Sequence, residues 1–130
     1  MIPKFRAYFN RYKRMIYSVG VVNKNSILVD FNGDGECEYM FLTNDISLMQ
    51  STGLKDENGV DIYEADLVEY RDGEESFKGE VVINCFGAYV KTENDYIRFE
   101  DFSDETTRLA GNCYVVGNIY ENQAREVIDD

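Results

Sequence analysis

The sequence predicts a mainly β protein: a small closed barrel preceded by N-terminal β-hairpins, with one or two short helical turns. Three observations lead there. Apolar and polar residues alternate in short runs, the period-2 pattern of half-buried strands. The runs are separated by Gly, Asn and Asp residues that close tight turns. Ten Tyr and eight Phe supply the large side chains that pleated surfaces favour, and the single proline, Pro3, leaves the rest of the chain unbroken.

Residues 4–9 read as a strand, with Phe5, Ala7 and Phe9 alternating with Arg6 and Tyr8. A turn over residues 10–13 leads into a returning strand at 14–19, which Gly20 is expected to break. Strands at 27–31 and 37–42 flank Asn32-Gly33-Asp34-Gly35, a strong hairpin signal. Residues 45–50 suit either a helical turn or a brief strand. Residues 50–68 read as a framework of turns. Gly53 and Gly59 sit where positive φ is expected, Asp56 and Asn58 suit Asx turns, and Leu54, Ile62, Tyr63 and Leu67 are anchors.

Further strands are expected at 67–71, 77–84 (with a bulge at Gly79), 88–92, 96–99 and 114–120. Ser103, followed by Asp104 and Glu105, reads as the cap of a short helix to residue 109. Residues 121–130 read as a frayed helix or tail. Five short strands with one helical turn before the last suggest a barrel rather than a sandwich.

At 130 residues the chain suits one compact unit, divided into a β-hairpin region at 1–48 and a small barrel with its tail at 49–130. The net charge of −12 accompanies 44% hydrophobic residues, so the charge does not imply disorder. It is unevenly placed. Residues 1–29 hold six bases and no acid, which leaves seven bases against 25 acids, a net −18, for the remainder. An acidic body disfavours nucleic acid, whose binding depends on neutralising phosphates. Phe77, Phe86, Tyr89, Tyr96 and Phe99 are therefore read as core rather than as base-stacking platforms, because Glu74, Glu75, Glu80, Glu93, Asp95, Glu100 and Asp101 surround them.

Cys37, Cys85 and Cys113 are widely spaced and read as free, buried thiols. No apolar run nears the length of a membrane span and no leader-like segment opens the chain, so a cytoplasmic protein is expected. The chain has no His, which removes His-based catalytic dyads, triads and metal sites. It also lacks the glycine-rich phosphate loops of nucleotide-binding proteins. No catalytic residue and no cofactor is expected. One pattern is metal-like: Asp30-Phe31-Asn32-Gly33-Asp34-Gly35 matches the start of a calcium loop, with Asp30, Asn32, Asp34 and Glu36 as ligands. The match ends where the bidentate Glu is required, at Phe41. A plain hairpin is the preferred reading. Tyr63, Glu64 and Asp66 are the most site-like cluster, and Asp66 is expected to accept backbone N–H bonds at the start of a strand.

Three segments carry a family resemblance. They are Lys4-Phe5-Arg6-Ala7-Tyr8, then Leu48 to Asp56 with Asn58-Gly59 and Ile62-Tyr63-Glu64-Ala65-Asp66, then Val116-Gly117-Asn118-Ile119-Tyr120-Glu121-Asn122. Gln50, Thr52, Gly53 and Leu54 lie in the second. In this order they resemble the YopX family of phage and prophage proteins, over nearly the whole chain. Two positions depart from the family pattern. Ala65 replaces a usual Gly, which implies a turn without a strict need for positive φ. Gln123 replaces a common Pro, which suggests a looser C-terminal stop.

The resemblance implies a C-terminal part similar to SH3-type barrels and self-association, with a trimer as one form. It brings no activity and no catalytic residues. The expected function is a non-enzymatic, self-associating protein-interaction module in the bacterial cytoplasm. Its basic hairpin would complement an acidic body on another subunit or on a host or phage protein, and salt would loosen such contacts. The alternatives are a nucleic-acid-associated or DNA-mimic accessory protein and a weak calcium-binding module.

Overall fold

The computed structural model describes residues 4–121, and the chain divides into two compact units, Met1–Gln50 and Ser51–Asp130. The protein is mainly β, with two sheets and almost no helix.

In the first unit, β1 (Phe5–Phe9), β2 (Arg14–Asn23), β3 (Ser26–Val29) and β4 (Glu38–Phe41) join the first half of β5 (Ile46–Lys55). The order is β5-β1-β2-β3-β4, antiparallel throughout. Side chains alternate across the pleat. Ala7, Phe9, Ile16, Ile27 and Val29 fill one face, with Met40, Leu42, Ile46 and Leu48 packed against them. β4 is the last strand of this order, so among the described residues one of its edges is unpaired. Gly20 does not end β2. It sits in mid-strand opposite Leu28, because an extended glycine costs entropy but keeps its ladder bonds. Of residues 45–50, ambiguous between helix and strand, Asp45 is turn and the rest are strand, and Ser47, Leu48 and Met49 pair with β1.

In the second unit, the rest of β5 pairs with β6 (Asp61–Tyr63). β7 (Asp66–Asp72), β8 (Glu75–Asn84), β9 (Gly87–Lys91) and β10 (Tyr96–Arg98) form a meander. A 3-10 turn at Phe99–Asp101 follows, then the two-residue strands β11 (Ser103–Asp104) and β12 (Leu109–Ala110), and finally β13 (Cys113–Asn118). β12 lies parallel to the end of β5, with Leu109 opposite Lys55. The five-stranded order is β10-β9-β8-β7-β13. It stays open among the described residues. β10 is three residues long and gives way at once to the 3-10 turn, so no pairing closes the expected barrel. The core comprises Ile62, Val68, Val81, Val90, Phe99, Ala110 and Cys113.

Three local expectations change. Ser103 caps no helix. The Asp104 carboxylate accepts the Thr106 and Thr107 N–H groups, and this Asx turn, with Arg108 at φ 61°, folds β11 back onto β12. Gly79 is not a bulge, since β7 and β8 keep register through it. A Cβ there would sit 2.2 Å from the Lys91 carbonyl oxygen, so glycine permits a close backbone approach. Among the aromatics read as core, Phe99 is buried, Phe77 and Tyr89 are half-buried, and Phe86 and Tyr96 are exposed at 82% and 58%. Phe86 lies in the turn between β8 and β9, and Tyr96 opens the three-residue β10, so neither is covered by a facing sheet residue of the core.

Candidate functional site

The middle stretch is two strands with a turn between them, not a run of turns. Gln50 is exposed on β5 opposite Phe5. Thr52 and Gly53 lie where β5 shifts register against β6. The Thr52 hydroxyl donates to the Ile62 carbonyl at 2.8 Å and accepts from Leu54 N, while Gly53 N donates to Ser51 Oγ. Gly53 takes φ 80°, and Leu54 packs on the second core.

Asp56 is the hub. Only 1% of it is exposed. Its Oδ1 accepts the N–H groups of Asn58 and Val60, each at 2.9 Å. Its Oδ2 accepts Val115 N, also at 2.9 Å, from β13. A buried carboxylate is tolerated when several N–H donors meet it. Gly59, at φ 81°, lets its own N–H reach the Asp56 carbonyl. Glu57 extends the clamp: its N–H donates to the Cys113 carbonyl and its Oε2 accepts Asn112 N at 2.8 Å. The turn at 56–60 is thus stitched to residues 112–115.

A second junction lies at the β6–β7 turn. Ile62 and Tyr63 are buried and Glu64 is half-buried. Asp66 is 2% exposed, and its Oδ2 accepts Tyr63 N at 2.7 Å. Ala65 holds φ 73°, so this turn does use positive φ even without glycine. The conformation is fixed from both sides, because Ala65 N donates to the Val81 carbonyl and the Ala65 carbonyl accepts Ile119 N. Gly117 opposes Leu67 across a bulge, and Asn118 opposes Asp66. Asn118 Oδ1 then accepts the N–H groups of Tyr120 and Glu121, capping the helical residues 119–121. Ile119 and Tyr120 are half-buried. Asn122 and Gln123 lie outside the described residues.

The carboxylates of Asp56, Glu57 and Asp66 and the Asn118 amide therefore serve backbone geometry. The one thiol beside them, Cys113, is fully buried, and burial with the nearby Asp56 charge pushes it up to about 12. It stays protonated and unreactive at neutral pH. Cys37 and Cys85 are exposed, contrary to the expectation of three buried thiols. Both sit in loops, where no core covers them.

In the calcium-like loop, Asp30 Oδ1 accepts Gly33 N at 2.8 Å and Asp34 N at 3.3 Å, and Oδ2 accepts Gly35 N at 2.9 Å. Asp34 accepts Glu36 N, and Asn32 and Glu36 are exposed. The Gly35 N–H bond, helped by those of Gly33, Asp34 and Asn32, holds the Asp30 carboxyl below its ordinary 3.8. Its contribution to loop order is present above that ordinary value and is lost as pH falls through the lowered one. Among the described residues, no three His, Cys, Asp or Glu side chains converge as metal ligands.

Two surfaces went unread in the sequence. The first is a cleft of about 180 Å³ in the second unit, lined by Thr52, Leu54, Tyr89, Arg98 and Arg108 among others. The second is the outer face of the first unit's sheet, opposite its core. There Tyr17, Leu28, Tyr39 and Phe41 are exposed at 55%, 39%, 53% and 67%. The Tyr39 hydroxyl donates to Ser26 Oγ, and the Tyr39 and Phe41 rings meet edge to face at 5.5 Å. Beside them a cleft of about 590 Å³, lined by Phe9, Arg11, Tyr12, Phe41, Asp45 and others, opens at the turn end of the unit. A signal was present, since residues 39–42 are apolar at every position rather than at every second one.

A family model described as YopX protein matches residues 4–125. The chain belongs to the YopX family. Within solved structures, it is similar to the crystal structure of protein EF1440 from Enterococcus faecalis. The two share 26% identity over 95% of this chain and 96% of that one, with a TM-score of 0.63. Nothing matched in a comparison with curated proteins. The matched span includes the Asp56 hub, the Ala65–Asp66 turn and the Asn118 cap. Among the described residues, no helix is long and apolar enough to cross a membrane.

Proposed function

We propose that this YopX protein is a non-enzymatic interaction module that works by self-association in a phage or prophage setting within the bacterial cytoplasm. The observation that carries this reading is the exposed apolar face of the first unit, with Tyr39 and Phe41 each more than half exposed on neighbouring outward positions. Clustered exposed aromatics mark protein-contact surfaces. The motif chemistry supports the same reading, because Asp56, Asp66 and Asn118 are engaged in holding backbone. The strand order β10-β9-β8-β7-β13, with a 3-10 turn after β10, supports an SH3-type reading of the second unit. The test is the molar mass in solution by light scattering across a wide concentration range. A mass above that of one chain is expected. A monomer at every concentration and salt level would overturn the proposal.

A further inference from the structure

We propose that two copies of the chain pair through β4, each adding its β4 antiparallel to the other's, so that the two sheets run on as one across a twofold axis. This inference rests on the self-association reading and names the surface and geometry that carry it.

The ladder of β4 supplies the first argument. Leu42 N donates to the Asn25 carbonyl, and the register pairs Met40 with Ile27. In an antiparallel pair, hydrogen-bonded and non-bonded positions alternate. The N–H and C=O groups of Tyr39 and Phe41 therefore point away from β3, along the free edge. Those same residues present their rings on the exposed outer face. An antiparallel partner centred on Met40 sets Tyr39 opposite the partner's Phe41, and Phe41 opposite the partner's Tyr39. Both positions offer outward N–H and C=O groups, so the two pairs make four main-chain bonds. The aromatic rings then meet across the seam on one face, an arrangement that stabilises antiparallel strands.

The second argument is that β4, though short and opened by Glu38, carries no Lys, Pro or bulge. Soluble sheets blunt their edges with Lys, Pro, bulges or cover. β4 reads Glu-Tyr-Met-Phe and its pairing with β3 is regular. An edge with no partner strand among the described residues is a template for strand addition.

Charge selects the occupant. Residues 1–50 hold six bases and five acids, a net +1, whereas residues 51–130 hold seven bases and 20 acids, a net −13. Two copies that met through the second unit would bring two surfaces of −13 together. Two copies that meet through the first unit bring together surfaces close to neutral, where apolar contact is opposed least. In the register above, Glu38 faces the partner's Leu42, so no like charges lie directly opposite. The contact is the same on both partners, which makes it isologous and closed. It builds a dimer.

The experiment measures mass by light scattering, with circular dichroism and thermal melting as controls of folding. Wild type is expected at twice the monomer mass. The pair Tyr39→Glu with Phe41→Glu is expected to be a folded monomer, while Val116→Glu, on β13 and 48% exposed, stays dimeric. Phe41→Pro tests the main chain, because the N–H it removes faces the free edge rather than β3; it too is expected to be monomeric. A readout in the unaltered protein guards against variants that fail to fold. The Tyr39 and Phe41 amides are expected to exchange about tenfold or more slowly at high protein concentration than at low. If wild type is monomeric throughout, the self-association reading itself fails. If it associates but the β4 variants keep the wild-type mass, or the two amides show no protection, that reading stands and the β4 seam is wrong.

Discussion

Asp56 shows how one side chain ties together parts of the chain that are far apart in sequence. Its two oxygens take three backbone N–H groups, two from its own turn and one from Val115. Asp56→Ala leaves these donors without their acceptor in a buried place, and the expected loss is about 3 kcal/mol in urea unfolding. The turn signals Asp56, Asn58 and Gly59 are legible in the sequence, because short side chains bond their own backbone. The bond to Val115 is not, since nothing local to residue 56 indicates which strand will pass it. Two neighbouring backbone positions make opposite predictions. Gly59 takes φ 81° in open space, so Gly59→Val is expected to lower stability by about 1 kcal/mol or more through backbone strain alone. Ala65 already carries that strain at φ 73°, so Ala65→Gly is expected to raise stability by up to about 1 kcal/mol, the relief being partly offset by a more flexible unfolded chain. Paired denaturant curves read both signs.

At the level of elements, period-2 patterning located most strands, including β1, β7, β8 and β9. It failed where local signals compete. Ser103 with its acidic neighbours resembles a helix start, yet Asp104 takes the same N–H groups into an Asx turn. Propensity is a weak prior over so few residues, and the pairing of β11 with β12 overrides it. Gly79 makes the same point from the other side. It reads as a bulge, but what the fold needs there is the absence of a side chain, because Lys91 O lies 2.2 Å from any Cβ. Gly79→Ala is expected to force β8 and β9 apart and to lower stability by about 2 kcal/mol, within the range of overpacked sites. A shift in the urea midpoint at constant slope measures it. A stability equal to that of wild type would show that the backbone there yields easily.

At the scale of the molecule, charge and apolar surface are distributed differently. The acidic excess falls in residues 51–130, while the aromatic outer face belongs to the first unit. If the apolar edge joins two copies, both net −12, salt acts by screening their repulsion. Raising ionic strength shortens the Debye length from about 30 Å at 0.01 M to about 3 Å at 1 M. The dimer fraction in sedimentation is then expected to hold or rise. Dissociation by salt would instead point to contact between the basic residues 1–29 and an acidic surface.

The sequence by itself determined the β class, the family, the turn formers and the uneven charge. Each rests on short-range pattern or on composition, which need no knowledge of what lies across space. Tertiary structure alone decided that Asp56 reaches Val115, that Ala65 is held in a left-handed turn, and that Gly79 meets a neighbouring backbone. It also decided that Tyr39 and Phe41 are exposed on an edge with no partner strand among the described residues. These depend on which strands become neighbours, and strand pairing joins residues tens of positions apart.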